Sequence, residues 1–415
     1  MRKKHFLFAS VLALLCGSSA LHAQDFKLTS SGYFKNQGVD IMAFDDIYPE
    51  GHQGGVCIIM NGHRVATNGD IRLEATPGQW QPVPKQLDRK LGDNSITATL
   101  CYPDSSRHLT GFNPMIYPDL HLIYTVNVES KGKNIEVTVD LDRPIPQEFI
   151  GKVGFNLEFF PGSLFGKPWI MDGQSGIFPQ QPNSPLMTTQ PNYLHTGNYH
   201  DGKQSLADMD KLIGKGYSPI VADDIISEPY AKGTKFTSRP DDPYNKVTIE
   251  SLSGDLQLFD GRMNHNNGWF VLRSNIKPGV TKGAVKWIIT PNVVADWMYQ
   301  PVIQTSQIGY HPTQDKEAVI EMDIRDNRKE TAQIIRIDAD GEKVVKNVTP
   351  ANWGKFLRYN YLKVNFTDVK EPGLYKIKYN TSVSPIFRID NDVYARGVWQ
   401  PVLEYFLPVQ MCHMR

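Results

Sequence analysis

The sequence predicts an all-β chain: a large β-sandwich domain, a second, smaller β-sandwich, and one C-terminal helix. Three observations predict it. Glycine (33) and proline (28) make up about one residue in seven, and aromatics make up 11%. That mix suits many short strands and turns. Apolar and polar residues alternate with a period of two in run after run between residues 24 and 390, the mark of strands with one buried face. After residue 390 the apolar spacing becomes helical.

At about 150 residues per domain, 415 residues suggest two to three domains. Hydrophobic residues are 40% and charged residues 21%, ordinary globular usage. The 44 basic residues balance 44 acidic ones, so the electrostatic footprint of a nucleic-acid binder is absent. Four cysteines are too few for a disulfide scaffold.

Arg2, Lys3 and Lys4 precede an apolar run from Phe6 to Leu15, and small residues follow up to Ala23. This reads as a cleaved signal peptide, residues 1–23, that exports the chain to the periplasm or the extracellular space. The run is too short for a membrane span, which needs about 20 residues, and no span is expected in the mature chain. Export leaves Cys57, Cys101 and Cys412 in an oxidising space. Cys57 and Cys101 lie in strand-like runs and read as buried free thiols, with a disulfide between them as the alternative.

Residues 24–300 read as a large accessory β-sandwich. Leu120, Leu122, Tyr124, Val126 and Val128 alternate, then Ile135, Val137, Val139 and Leu141, with a glycine-containing loop between them. That is a hairpin with one buried face. Similar runs lie at 56–60, 96–100, 247–251, 256–259, 269–273 and 285–290. Residues 160–245 are rich in Pro, Gly and Asn and read as long loops, with one short helix over 205–213.

Residues 301–390 carry some seven strand-like runs in about 90 positions, the size of an immunoglobulin-like sandwich. Asp340-Gly341 and Glu371-Pro-Gly are turn signals. In 391–415, Val393, Trp399, Val402, Leu403, Phe406, Val409 and Met414 recur at near-helical spacing, and Pro401 and Pro408 are expected to kink or restart the helix. An amphipathic helix needs a surface for its apolar face, so a further domain is expected after Arg415.

Four stretches carry a family likeness. Ser306-Gln-Ile-Gly-Tyr-His-Pro with Lys316 resembles the first strand of the immunoglobulin-like domain that precedes the catalytic barrel in family-9 glycoside hydrolases. Val364-Asn-Phe-Thr-Asp with Glu371-Pro-Gly-Leu-Tyr resembles its late strand and turn, and Ser384-Pro-Ile-Phe-Arg-Ile its last strand. The stretch from Tyr394 to Arg415 resembles the entry helix of the (α/α)6 barrel, although Leu407-Pro408 and the ending depart from the common pattern. The resemblance implies a parent that hydrolyses β-glucans with inversion, an Asp activating water while a Glu protonates the leaving oxygen. It places both residues in the barrel, outside this sequence. The nearest string here, Asp338-Ala-Asp-Gly341, reads as a hairpin turn. No cofactor, metal or catalytic residue is expected within the chain.

The candidate glycan contacts are Asn264, His265 and Trp269, in Asn264-His-Asn-Asn-Gly-Trp269, and Trp169 in a loop-rich stretch. A ring that lies on a pyranose beside amides that fix its hydroxyls is the usual chemistry of sugar recognition. His195, His200 and Asp201 form the densest polar cluster, read as a solvated loop rather than a zinc site. Trp287 reads as core, Trp399 as a contact for the missing barrel and Tyr310 as structural. The favoured reading is thus the exported, non-catalytic N-terminal part of a family-9-like polysaccharide hydrolase, which braces the barrel and contacts β-glucan-type polysaccharide. The alternative is a stand-alone carbohydrate-binding or adhesion protein. A third reading makes the first domain a mutarotase- or lyase-like enzyme, and needs His195, His200 or His265 to converge with carboxylates.

Overall fold

The computed structural model describes residues 25–45, 54–74, 76–77, 84–102, 120–182, 228–263, 268–395 and 397–413. The signal-peptide reading of 1–23 and the helix read over 205–213 lie outside them. The chain divides into two compact units, with the boundary between Trp297 and Met298. Every pairing between named strands is antiparallel, as expected for an all-β chain.

The strands of the first unit are β1 (Lys27–Leu28), β2 (Phe34–Asn36), β3 (Val39–Ala43), β4 (Val56–Met60), β5 (His63–Leu73) and β6 (Lys85–Leu91). Then come β7 (Ser95–Tyr102), β8 (Leu122–Lys131), β9 (Asn134–Leu141), β10 (Val153–Phe159), β11 (Pro168–Met171) and β12 (Gln174–Ile177). The last six are β13 (Ala231–Gly233), β14 (Lys235–Ser238), β15 (Val247–Ser251), β16 (Leu256–Asp260), β17 (Phe270–Asn275) and β18 (Val285–Pro291). They form two nine-stranded sheets, ordered β1-β2-β3-β4-β5-β10-β17-β16-β13 and β12-β11-β14-β15-β18-β9-β8-β7-β6.

The core lies between these sheets. Phe155 of the first packs edge-on against Trp287 of the second at 5.0 Å, and Phe159 against Phe236 at 5.7 Å. Strands β7, β8, β9 and β18 bury alternate residues. The β8–β9 hairpin is tighter than its loop suggests: Lys131 pairs with Asn134 across Gly132-Lys133. Gly132 has φ 68°, where a side chain would be strained. Cys57 and Cys101 are free thiols on different sheets.

The 160–245 stretch corrects the loop reading. Within it β11, β12, β13 and β14 each join a sheet. They are only three or four residues long, too short for alternation to show.

The second unit holds β19 (Val302–Gln304), β20 (Glu317–Asp323), β21 (Ala332–Asp338), β22 (Gly341–Val348) and β23 (Ala351–Phe356). It continues with β24 (Tyr359–Asn365), β25 (Gly373–Tyr379), β26 (Ser382–Val383), β27 (Phe387–Ile389) and helix α1 (Gln400–His413). The sheets run β19-β20-β24-β23 and β22-β21-β25-β26, with β27 also on β25. Their inner faces share one core that includes Ile320, Met322, Leu362, Val364, Ile334 and Ile377.

Asp338 pairs with Gly341, so Asp338-Ala-Asp-Gly341 is the β21–β22 turn. Helix α1 runs through Pro408 rather than restarting there, and Pro401 sits in its first turn, where a missing N–H is tolerated. Val402, Leu403, Tyr405, Phe406 and Leu407 are all exposed on it. Among the described residues no helix is long and apolar enough to cross a membrane.

Candidate functional site

The sequence-predicted contacts do not gather into one site. Trp169 lies on β11, not in a loop, and is only 6% exposed. Its ring fills the space a side chain at Gly176 would need: a Cβ there would sit 2.4 Å from Trp169 Cζ2. Trp169 is therefore a core residue, unavailable as a sugar platform. Trp269 is half-buried just before β17, its ring edge-on to Phe160 at 4.5 Å. Its carbonyl accepts the Gly261 N–H at 2.9 Å. Beside it, Arg262 grips Asp260 through Nε and Nη2, each at 2.8 Å, with its guanidinium 4.5 Å from the Phe270 ring centre. Asn264 and His265 lie outside the described residues, as do His195, His200 and Asp201. Trp287 is core, its Nε1 donating to Ser274 Oγ at 3.0 Å.

The first unit instead brings together a charged cluster that sequence reasoning missed. Cross-strand register puts Asp70, Asn156 and Arg273 in one row across β5, β10 and β17. Arg72, Glu74 and Glu158 join them, and all six residues are at most 4% exposed. Arg273 donates to Asn156 Oδ1 (2.9 Å), the Glu74 carbonyl (3.0 Å), Glu74 Oε1 (3.3 Å) and Asn275 Oδ1 (2.7 Å). Asn156 Nδ2 donates to Glu74 Oε1 at 2.6 Å, and Asn68 Nδ2 to Glu158 Oε2 at 2.5 Å. From the facing sheet, Tyr124 Oη donates to Asp70 Oδ1 at 3.0 Å.

Burial dominates the electrostatics of this cluster. It pushes the Glu74 carboxyl up to about 7, against the pull of Arg273. It pushes Asp70 up to about 6, against Arg72. Arg72 stays charged: burial works against its charge, but Glu158 and other acidic neighbours raise its pKa overall. Chemically the cluster can hold a proton near neutral pH. Its hydrogen bonds run within the protein, which makes it a device for fixing strand register. Among the described residues no three His, Cys, Asp or Glu side chains gather to hold a metal.

In the second unit the Ser306-to-Lys316 motif proves to be an internal lock. Tyr310 Oη accepts the Ser306 N–H at 2.9 Å and donates to the Glu317 carbonyl at 3.0 Å. Gly309 has φ 103°, and a Cβ there would meet the Arg388 carbonyl oxygen at 2.3 Å. Lys316 is fully buried, with Nζ donating to the carbonyls of Pro312 (2.8 Å), Gln314 (3.0 Å) and His311 (3.4 Å). Burial, with Lys370 nearby, lowers its pKa.

The outer face of the β19-β20-β24-β23 sheet is different in kind. It exposes Trp353 and Phe356 beside Tyr359 and Tyr361, with Glu321 among them. Nothing in the alternation marked β23, whose residues are almost all exposed.

Comparison with known proteins places the likeness in the second unit. Residues 298–384 match the family model of the cellulase N-terminal ig-like domain. No curated protein matches the chain. Among solved structures, a metagenome-derived glycoside hydrolase family 9 endoglucanase is 29% identical over 21% of this chain and 18% of its own, with TM-score 0.20. A GH9 protein of Bacteroides ovatus is 26% identical over 23% of this chain and 16% of its own, with TM-score 0.19. A Synechocystis protein is 9% identical over 65% of this chain and 96% of its own, with TM-score 0.30. The chain thus covers under a fifth of the two GH9 proteins, and its likeness to the cellulase N-terminal ig-like domain lies at residues 298–384.

Proposed function

We propose that this chain is the exported, non-catalytic N-terminal part of a polysaccharide-degrading O-glycosyl hydrolase resembling family 9, and that it braces the catalytic barrel. The observation that carries the reading is the family match over residues 298–384, which falls on a two-sheet β unit locked by Tyr310 and Lys316. In support, α1 follows that unit with Tyr405, Phe406, Val402 and Leu403 all more than half exposed. Such a helix gains stability only by covering those side chains against a partner surface. Two results test the reading. The purified chain releases no reducing sugar from carboxymethylcellulose or mixed-linkage β-glucan; release would show that it is catalytic. Fused through α1 to a family-9 catalytic barrel lacking its own immunoglobulin-like domain, the chain raises the melting temperature of the barrel; an unchanged value removes the bracing role.

A further inference from the structure

We propose that the outer face of the β19-β20-β24-β23 sheet binds a neutral, β-linked polysaccharide chain, with Trp353 stacking on a sugar ring, Tyr361 steadying the indole edge-on and Glu321 anchoring sugar hydroxyls. The proposal rests on the polysaccharide reading above and assigns it a ligand surface.

Register builds this face. Tyr361 pairs with Glu321 on one side and Gly354 on the other, and Tyr359 pairs with Asp323 and Phe356. These residues therefore stand opposite the buried Leu362 and Val364 of the same strand. A register shift between Asn352 and Gly354 inserts Trp353 as an extra residue, the pattern of a β-bulge that re-aims a side chain. Gly354 has φ 127°, and a Cβ there would meet nothing within 4 Å, so the floor beside Trp353 is open. Trp353 and Phe356 are 58% and 56% exposed, high values for such large rings.

The rings are held in place. Trp353 stands edge-to-face with Tyr361 at 5.6 Å; Tyr359 contacts Tyr361 at 6.1 Å and Tyr299 at 5.1 Å. One Glu321 oxygen accepts the Tyr299 hydroxyl at 2.9 Å and the other accepts the Tyr361 hydroxyl at 3.0 Å. A carboxylate has about four acceptor positions, so Glu321 can also take sugar hydroxyls. Lys363, from the same face of β24, is paired to Glu317 at 2.5 Å.

Charge chooses among occupants. Glu321 stands in the middle of the aromatic residues, whereas the core of a protein–protein interface is depleted of charge. Glu317 and Glu321 outnumber Lys363 on the face, which disfavours an anionic glycan. A pyranose with equatorial hydroxyls fits both features. Its C–H face meets the exposed face of the Trp353 ring, and its rim of hydroxyls meets Glu321 and Lys363.

The test is native affinity electrophoresis of the full chain in gels containing hydroxyethylcellulose or barley mixed-linkage β-glucan, with glycogen as the α-linked control. Wild type is retarded by at least one β-glucan and not by glycogen. Trp353→Ala weakens retardation by about tenfold in affinity, Glu321→Gln weakens it less, and Tyr244→Ala, an exposed aromatic in the first unit, leaves it unchanged. Retardation that survives Trp353→Ala overturns the assignment of this face while polysaccharide binding by the chain stands. Absence of retardation in every gel overturns the proposal and leaves the bracing role to its own melting experiment. Sedimentation velocity covers the remaining occupant: a wild-type dimer that Trp353→Ala dissolves would make the face a contact between copies.

Discussion

Replacing Arg273 with Leu strikes the charged cluster of the first unit at its centre. The guanidinium is 1% exposed and supplies four hydrogen bonds, two of them to Glu74. Its loss leaves the buried Glu74 carboxylate without its hydrogen-bonded cation, with only the longer-range pull of Arg72, and takes a donor from Asn156. Breaking a buried pair on one side costs about 3–5 kcal/mol. The sign of the pH dependence follows from Glu74. Its folded value, about 7, lies above the ordinary 4.5, so the folded state binds the proton more tightly. Stability from this group is therefore fully present below about pH 4.5 and falls as pH rises towards about 7. Arg273 opposes that rise by favouring the charged carboxyl. Without it the folded value climbs further, and the variant loses most at pH 8 and recovers about 1–2 kcal/mol at pH 5, where Glu74 is protonated in both proteins. Urea unfolding of the full chain at both pH values, followed by tryptophan fluorescence, reads the difference directly. A deficit under about 1 kcal/mol, or one of equal size at both pH values, would refute the account.

Two further substitutions probe the packing. Lys316→Met keeps the volume of the side chain but leaves three backbone carbonyls without their donor; the second unit should lose about 2–4 kcal/mol in urea unfolding, and a loss under about 1 kcal/mol would show the ammonium to be dispensable. Gly176→Ala drives a methyl into the Trp169 ring, and a destabilisation of about 1–3 kcal/mol with a shifted tryptophan emission is expected; a neutral result would mean that the ring is free to move.

Much of the fold was legible in the sequence because many strands bury one face. The alternation of Tyr124, Val126 and Val128 with polar neighbours is the same alternation that the structure buries. The charged cluster was illegible for the same reason. Phe155-Asn-Leu-Glu-Phe alternates like a half-exposed strand, yet every residue of β10 is buried. A period of two reports which residues share a face and not whether the polar face meets water. Trp169 was misplaced because its four-residue strand lies between proline- and glycine-rich turns. The aromatic face of the second unit was missed because β23 has no buried face to reveal it, and its rings become neighbours only through pairing with β24.

The separation of the cluster's members along the chain bears on the order of folding. Glu74 and Arg273 stand 199 positions apart, and Asn156 lies 117 before Arg273. Contacts of that span close late, after the loop entropy of the intervening chain has been overcome. During synthesis Asp70, Arg72 and Glu74 emerge long before their partner on β17. Their charges favour water over premature burial of the second half of β5. The same residues that stiffen the finished sheet thus delay its central strands from committing until β17 has been made.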